Sequence, residues 1–456
     1  MSKNHPILFW SLFALFSSLF LFGWFAYWEA RHQGLGSLLE KLPVSRELRS
    51  DASAVGFFAD SVMRTDGHDR TYLILFQNNL ELRPGGGFVG SFGILKIRDG
   101  KVVAFDVHDS GNFDGRIPDT VAPPYPMSET LKISSWKLRD SNWEPDFAAN
   151  AKQAVTFYNM GGGEEKFDGV IAITTDVLSS FLSVTGPVEI PGFPGKYDEK
   201  NAIIDLEYQV EKGFLEQGVE RGDRKSVMGL LGDQILAKVR ELPPQDLFRL
   251  LQVVLDDLNQ KDIQLWFADE DLEAEAVSAG WAGSFDGKWS DDFLMAVDAN
   301  LNSWKTDYVM RRSMEYSVDL SQETPKAKLT VHYEHVGKEK DFMTKDYQTF
   351  LRVYVPNGSW LGGVSGNAKD PVFGEFMGKK YFGVLVHVPL GTSKDVSFEY
   401  DLPKGIEREF YDLKIQKQSG LAGVPVKLTI VGKDGSKKET SFQLNRDYVY
   451  SRESGS

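Results

Sequence analysis

The 456-residue chain contains no cysteine. That excludes disulfides, thiolate metal sites and cysteine nucleophiles outright, and leaves an exported fold to be held by its core alone. Basic charge is also short. Against 65 Asp and Glu stand 51 Lys and Arg, a net charge of −14 with pI near 5.1, which argues against nucleic acid as a partner because such binders need a basic field. Of seven histidines, only His332 and His335 are close in sequence, and on a strand their odd spacing sends them to opposite faces. No G-x-S-x-G elbow, P-loop or H-E-x-x-H helix occurs, so hydrolase and metalloprotease readings find little to stand on.

What is present begins with one long apolar run. Residues 7–28, ILFWSLFALFSSLFLFGWFAYW, carry no Asp, Glu, Lys, Arg or His. A helix of that length rises about 1.5 Å per residue and crosses a hydrocarbon core of about 30 Å. Trp10, Trp24, Tyr27 and Trp28 sit near its ends, where amphipathic rings favour the headgroup layer. A cleaved signal peptide has a shorter apolar core, roughly 7–15 residues, and a prompt small-x-small site; neither fits. The expectation is a single-pass cell-membrane protein with residues 1–28 as cytoplasmic tail and transmembrane helix, and everything beyond lying outside the cytoplasm.

Residues 29–70 suit a membrane-proximal stalk of short helices, interrupted by Pro43 and Gly56. From residue 71 the texture changes. Thr71–Gln77 and Phe88–Ile97 read as strands, and Asp99-Gly100 turns the chain into a third over Val102–Val107. Helical spacing follows at 147–158, a strand at 170–173, a helix at 177–184 with Asp176 as its cap, and a strand at 188–190. Long amphipathic helices fit 226–242 and 245–258, split by Pro243-Pro244, and short apolar strands recur at 263–267 and 293–297 around a helix near 272–279. This alternation predicts an α/β fold over residues 71–304, a layered α/β/α domain with a mixed sheet. Residues 305–456 differ: seven short alternating runs, near 316–320, 328–333, 350–355, 383–388, 396–400, 426–431 and 441–444, fit an immunoglobulin-like β-sandwich.

Four stretches can carry chemistry. In Gln77-Asn-Asn-Leu-Glu-Leu-Arg83-Pro-Gly-Gly-Gly-Phe88, the amides of Gly85 and Gly86 can cradle an anion beside Arg83, or the loop is simply a tight connection. In Asp106-Val-His-Asp109-Ser-Gly111, a strand-end carboxylate can hold Mg²⁺ or form a turn. Arg139 and Asp140 can face a site, whereas Asp146 suits a helix cap. Glu220-Arg221-Gly-Asp-Arg224-Lys-Ser226 gathers three cations where a helix begins, a place that attracts anions.

Several of these runs are shared with a known family. LILFQNNLELRPGGGFVGSFG, LRDSNWEPDF, FDGVIAITTDVLSSFLSVTGPVEIPG and DDFLMAVDANLNSWKTDY occur in the order seen in the bacterial domain-of-unknown-function 4012 family, which the chain resembles over about residues 70–310. More distantly, a hairpin, a helix, Phe167-Asp-Gly-Val170, Val184-Thr-Gly-Pro-Val-Glu-Ile190 and a cationic helix start make it similar to the LytR-CpsA-Psr family. Those envelope phosphotransferases move glycopolymers from a polyprenyl-pyrophosphate carrier onto peptidoglycan. The resemblance implies that Arg83, Asp109, Arg221 and Arg224 form the catalytic set, with Asp140 an alternative to Asp109, Asp109 as metal ligand and Mg²⁺ as cofactor; Gly85, Gly86 and Asp140 are the expected binding residues beside them. Guanidiniums would neutralise the diphosphate while Mg²⁺ steadies the leaving group. The pattern departs in one place: that family follows its early arginine with an acidic residue, whereas Pro84 and Gly85 follow Arg83. The resulting expectation is an envelope protein binding, and by resemblance transferring, a carrier-linked glycopolymer. Its rival is a non-catalytic surface protein using the sandwich for adhesion or assembly.

Overall fold

Two residues with left-handed backbone make the first hairpin. Asp99 and Gly100 have φ of 50° and 73°, the conformation that matches a two-residue turn to the twist of its strands. They join β2 (Phe88–Arg98) to β3 (Lys101–Asp109), after β1 (Asp69–Asn78). The computed structural model describes residues 54–58, 61, 64–220, 224–367 and 369–451. The expected membrane helix, most of the expected stalk and Arg221 lie outside the described residues. Among those that are described, no helix is long and apolar enough to cross a membrane. Residues 54–58 are helical, and Phe58 stacks on Phe267 with ring centres 5.2 Å apart.

The described chain divides into two compact units. The first comprises residues up to Gln77, 89–117 and 151–283; the second comprises 78–88, 118–150 and 284 onward. In the first, α1 (Ser110–Asp114) and, from Ala151 on, α2 (Phe147–Met160) precede β4 (Gly169–Thr174), α3 (Asp176–Thr185) and α4 (Ala202–Tyr208). Then come α5 (Ser226–Arg240), α6 (Pro244–Asn259), β5 (Ile263–Phe267) and α7 (Glu270–Ser278). The sheet order is β3-β2-β1-β4-β5, with β1 parallel to β4 and the pairs β2–β3 and β4–β5 antiparallel.

Both faces of this mixed sheet are covered. Tyr72, Ile74, Ile171 and Ile173 share a core with Phe181 of α3, Leu231 of α5 and Val254 of α6. The alternate residues Leu73, Leu75 and Val170 are buried too. On that second face Phe92 meets Phe113 of α1 and Tyr158 of α2 edge-on, at 5.0 and 6.1 Å. Burial on both sides explains why these strands read as continuous apolar runs rather than alternating ones. Proline separates α5 from α6: Pro243 is extended, and Pro244 opens α6, where a missing N–H costs nothing. Asp176, expected as a cap, is instead the first residue of α3, and the strand expected at 188–190 contributes one bridge, Val188 to Tyr197.

The second unit is a β-sandwich. Its strands are β6 (Asp292–Asn300), β7 (Met310–Asp319), β8 (Lys326–His335), β9 (Tyr347–Pro356), β10 (Trp360–Ser365) and β11 (Val372–Phe376). They continue with β12 (Lys379–Val388), β13 (Ser393–Asp401), β14 (Asp412–Ile415), β15 (Val424–Val431), β16 (Lys437–Leu444) and β17 (Tyr448–Ser451). One six-stranded sheet runs β10-β13-β8-β7-β15-β16 and the other β11-β12-β9-β6-β14-β17. Each is mixed, because β15 pairs parallel with β7 and β14 with β6. Leu329, Phe398 and Leu428 from the first sheet and Leu294, Val353 and Val384 from the second fill the space between. All seven runs expected beyond residue 305 fall in strands, save Leu320, one residue past the end of β7.

Candidate functional site

Arg83 sits in the loop between β1 and β2, within the second unit, and is 1% exposed. Its Nε donates to Asp140 Oδ1 and one Nη to Glu81 Oε1, both at 2.8 Å. The other Nη donates to the carbonyls of Asn300 at 2.8 Å and Leu82 at 3.3 Å. Burial opposes the charged guanidinium, but Asp140 and Glu81 outweigh it and hold its pKa above the usual arginine value. Burial likewise lifts the Glu81 carboxyl, against the pull of Arg83.

The glycines next to it are packed as closely. Gly85 N–H donates to the Asn142 carbonyl at 3.0 Å and Gly86 N–H to the Arg83 carbonyl at 2.9 Å. Gly85 bridges to Ser419, and Gln418 donates to the carbonyls of Arg83 and Asp298 at 3.2 and 2.8 Å. A Cβ on Gly420 would strike the Gly86 carbonyl. The loop expected to cradle an anion therefore spends the amides of Gly85 and Gly86 on backbone carbonyls, and Arg83 and Asp140 on each other. In the third stretch, Asp146 does act as a cap, accepting from Ala149 N at 2.8 Å.

A different arrangement surrounds Asp109 in the first unit. This residue ends β3 and caps α1, its Oδ1 accepting from Asn112 N at 2.8 Å. Its other oxygen pairs with Lys225 Nζ, which also donates to the Gly90 carbonyl at 2.7 Å. Arg224 lies 3.5 Å from Glu211. Burial pushes the Asp109 carboxyl up. The hydrogen bond and charge of Lys225, the Asn112 amide and the charge of Arg224 overcome that and hold it below the ordinary range. Side chains of Asp109 and Lys225 are each 29% exposed, so the pair is open to solvent.

Lys225 occupies the cap position of α5. Its side chain has no acceptor with which to satisfy the helix's first amides, and no acidic residue lies in the first turn. Two cations thus stand at a helix start that has no side-chain cap, Lys225 on Asp109 at the end of β3 and Arg224 beside Glu211. Of the expected set, the structure brings together Asp109 and the charge of Arg224, and adds Lys225. Arg83, Asp140, Gly85 and Gly86 belong to the other unit. The signal for Lys225 was its place in a cationic run at a helix start; its partner is 116 positions away, beyond any local pattern.

The donor set does not suit a protein-held Mg²⁺. This ion demands oxygen ligands in near-octahedral array, whereas Asp109 has a lysine ammonium on one oxygen and a backbone amide on the other. Among the described residues no group of three His, Asp or Glu side chains is placed to hold a metal.

Residues 67–210 match the family model described as Protein of unknown function (DUF4012), a span that contains Arg83, Asp109 and Asp140 but stops before Arg224 and Lys225. No curated protein matches the chain. Among solved structures, a Legionella pneumophila protein provisionally described as nutrient binding aligns at 7% identity with a TM-score of 0.21, covering 27% of this chain and 50% of its own. The chain thus spans half the length of that protein, and so slight a likeness carries no argument.

Proposed function

We propose that this is a membrane-tethered cell-envelope protein whose first unit, a LytR-CpsA-Psr-like domain, binds the diphosphate of a polyprenyl-linked glycopolymer destined for peptidoglycan. One observation carries the reading: Arg224 and Lys225 stand at the uncapped start of α5, facing the strand end at Asp109. A diphosphate bears more charge than one carboxylate, so it can displace Asp109 from Lys225 and draw in Arg224 at the start of α5. Arg83 has no part in the site, because its donors are engaged within the second unit. No step is routed through Mg²⁺. The run at 7–28 supplies the tether and keeps the domain beside a carrier whose diphosphate lies at the bilayer surface.

The test is purification in detergent followed by mass spectrometry for co-purifying polyprenyl phosphates, repeated on Arg224→Ala/Lys225→Ala. The reading expects lipid in the parent protein and its loss from the variant. Absence from both samples sinks the carrier assignment; equal amounts in both sink the assignment to these two cations.

A further inference from the structure

The second unit carries an exposed aromatic pair with no role in its core or in the network around Arg83. Trp360, the first residue of β10, is 70% exposed, and Phe373 of β11 is 57% exposed. These strands are edges, β10 of one sheet and β11 of the other. Lys380 of β12 joins them: its Nζ lies 5.9 Å from the centre of each ring, so the rings are no more than twice that distance apart. The ammonium also donates to the Ser359 carbonyl at 3.0 Å, which fixes it between them. Phe382 braces Phe373 edge-on at 5.9 Å. Beyond Trp360, β10 continues into Gly362 and Gly363, and a Cβ on Gly363 would meet nothing within 4 Å.

Such rings in water are the kind of surface that marks a binding site. Three occupants can be weighed. A peptide adding as a strand needs a regular edge, but the register of β10 slips between Leu361 and Gly363, a bulge of the sort that blunts edges. A bilayer surface wants a continuous apolar face with several cations around it; here two rings on different sheets are parted by one ammonium. A sugar chain fits what is there. Each pyranose offers an apolar C–H face that is slightly positive, suited to the negative face of an aromatic ring. Its hydroxyl rim offers acceptors to an ammonium with donors to spare.

We propose that Trp360, Phe373 and Lys380 form a saccharide-binding platform on which successive pyranose rings of a glycan stack, one on each aromatic face. It stands on its own observations, apart from the diphosphate reading.

The test is calorimetric titration of the full chain in detergent with cellohexaose, chitohexaose and hexagalacturonate, none of which carries lipid or phosphate. At least one should bind. Trp360→Ala should weaken it about tenfold, Phe373→Ala and Lys380→Ala less, while Trp360→Phe retains most of the affinity. Failure of all three sugars to bind, or binding indifferent to Trp360→Ala, overturns the platform. So does Trp360-dependent binding to phosphatidylglycerol vesicles without sugar binding, which would assign the patch to a membrane instead.

Discussion

The two units use the same ingredients, cations and carboxylates, to opposite ends. In the second unit Arg83 is wholly buried and answered by two carboxylates and two carbonyls. In the first, Lys225 and Asp109 share a pair that solvent reaches, and Arg224 meets Glu211 only at 3.5 Å. Taking charge out of water is expensive unless each group is paired and hydrogen-bonded. Saturation is therefore what a buried structural arginine must have, and it leaves nothing over for a ligand. The half-open pair is cheaper to break and correspondingly free to exchange one anion for another. A motif's prominence in sequence says little about which of these it is.

Breaking the closed network should give the largest effect. Arg83→Ala strands Glu81 and Asp140 as buried carboxylates and leaves two carbonyls short of a donor, a cost of about 3–5 kcal/mol. Chemical denaturation should show that loss, and hydrogen exchange should place it in the second unit. Arg83→Lys should also destabilise, because one ammonium cannot reach the four acceptors that a planar fork satisfies. A stability change under about 1 kcal/mol for Arg83→Ala would mean that the network is not structural, and would reopen the arginine as a ligand group. Gly420→Ala should cost somewhat less, about 2 kcal/mol. Its φ of 76° is left-handed, and the added methyl would meet the Gly86 carbonyl.

How much of this was legible depended on how local its cause was. The hairpin at Asp99-Gly100 and the break at Pro243-Pro244 are dictated by backbone preferences within two residues, and both are found where the sequence puts them. Strands β10 and β11 were invisible because most of their residues are exposed or half-exposed, so no apolar alternation marks them; β14 and β17 span only four residues each. Periodicity also cannot reveal that 78–88 and 118–150 pack with the sandwich. The meaning of Arg83 depends on Asn300, 217 positions away, and on Gln418, 335 away. The Asp109 end of the open pair was readable as a strand-end carboxylate, but nothing near it in sequence names Lys225.

A second contrast between the units lies in their buried carboxyls. In the first, Asp257 of α6 accepts from Ser180 Oγ at 2.8 Å while its other oxygen has no partner. Burial, opposed only by that bond and reinforced by Asp262, pushes its pKa up to about 8. In the second, Asp292 accepts from Tyr316 at 2.7 Å and from Tyr411, and burial lifts it to about 6. Both folded pKa values exceed the unfolded one near 3.8, so the native state holds the proton more tightly. Stability from these groups is complete at low pH and is lost as pH rises, through about 6 for the second unit and about 8 for the first. Asp257→Asn should flatten the pH dependence of the first unit and leave it about 1–3 kcal/mol more stable than the parent at pH 9. Hydrogen exchange resolved by unit reads both windows. An unaltered slope between pH 6 and 8 in the variant would show that Asp257 is not the titrating group.

The smallest stability effect should accompany the most telling change in binding. Asp109→Asn keeps the α1 cap, since an asparagine oxygen can accept from Asn112 N as the carboxylate does. It removes only a solvent-reached ion pair, worth under about 1 kcal/mol. The Asp109 pKa is depressed, so what stability the pair gives exists above the unfolded value and is lost as pH falls below it. For ligand the sign reverses. Freed from its carboxylate, Lys225 can turn wholly to an incoming diphosphate, and the repulsion of Asp109 disappears with it. Calorimetry with farnesyl diphosphate should show about three- to tenfold tighter binding to Asp109→Asn and weaker binding to Lys225→Ala, with the difference shrinking as salt is raised. If both variants weaken binding alike, Asp109 is itself a ligand-holding group, and the open pair is not the exchangeable one that sets this unit apart from the closed network around Arg83.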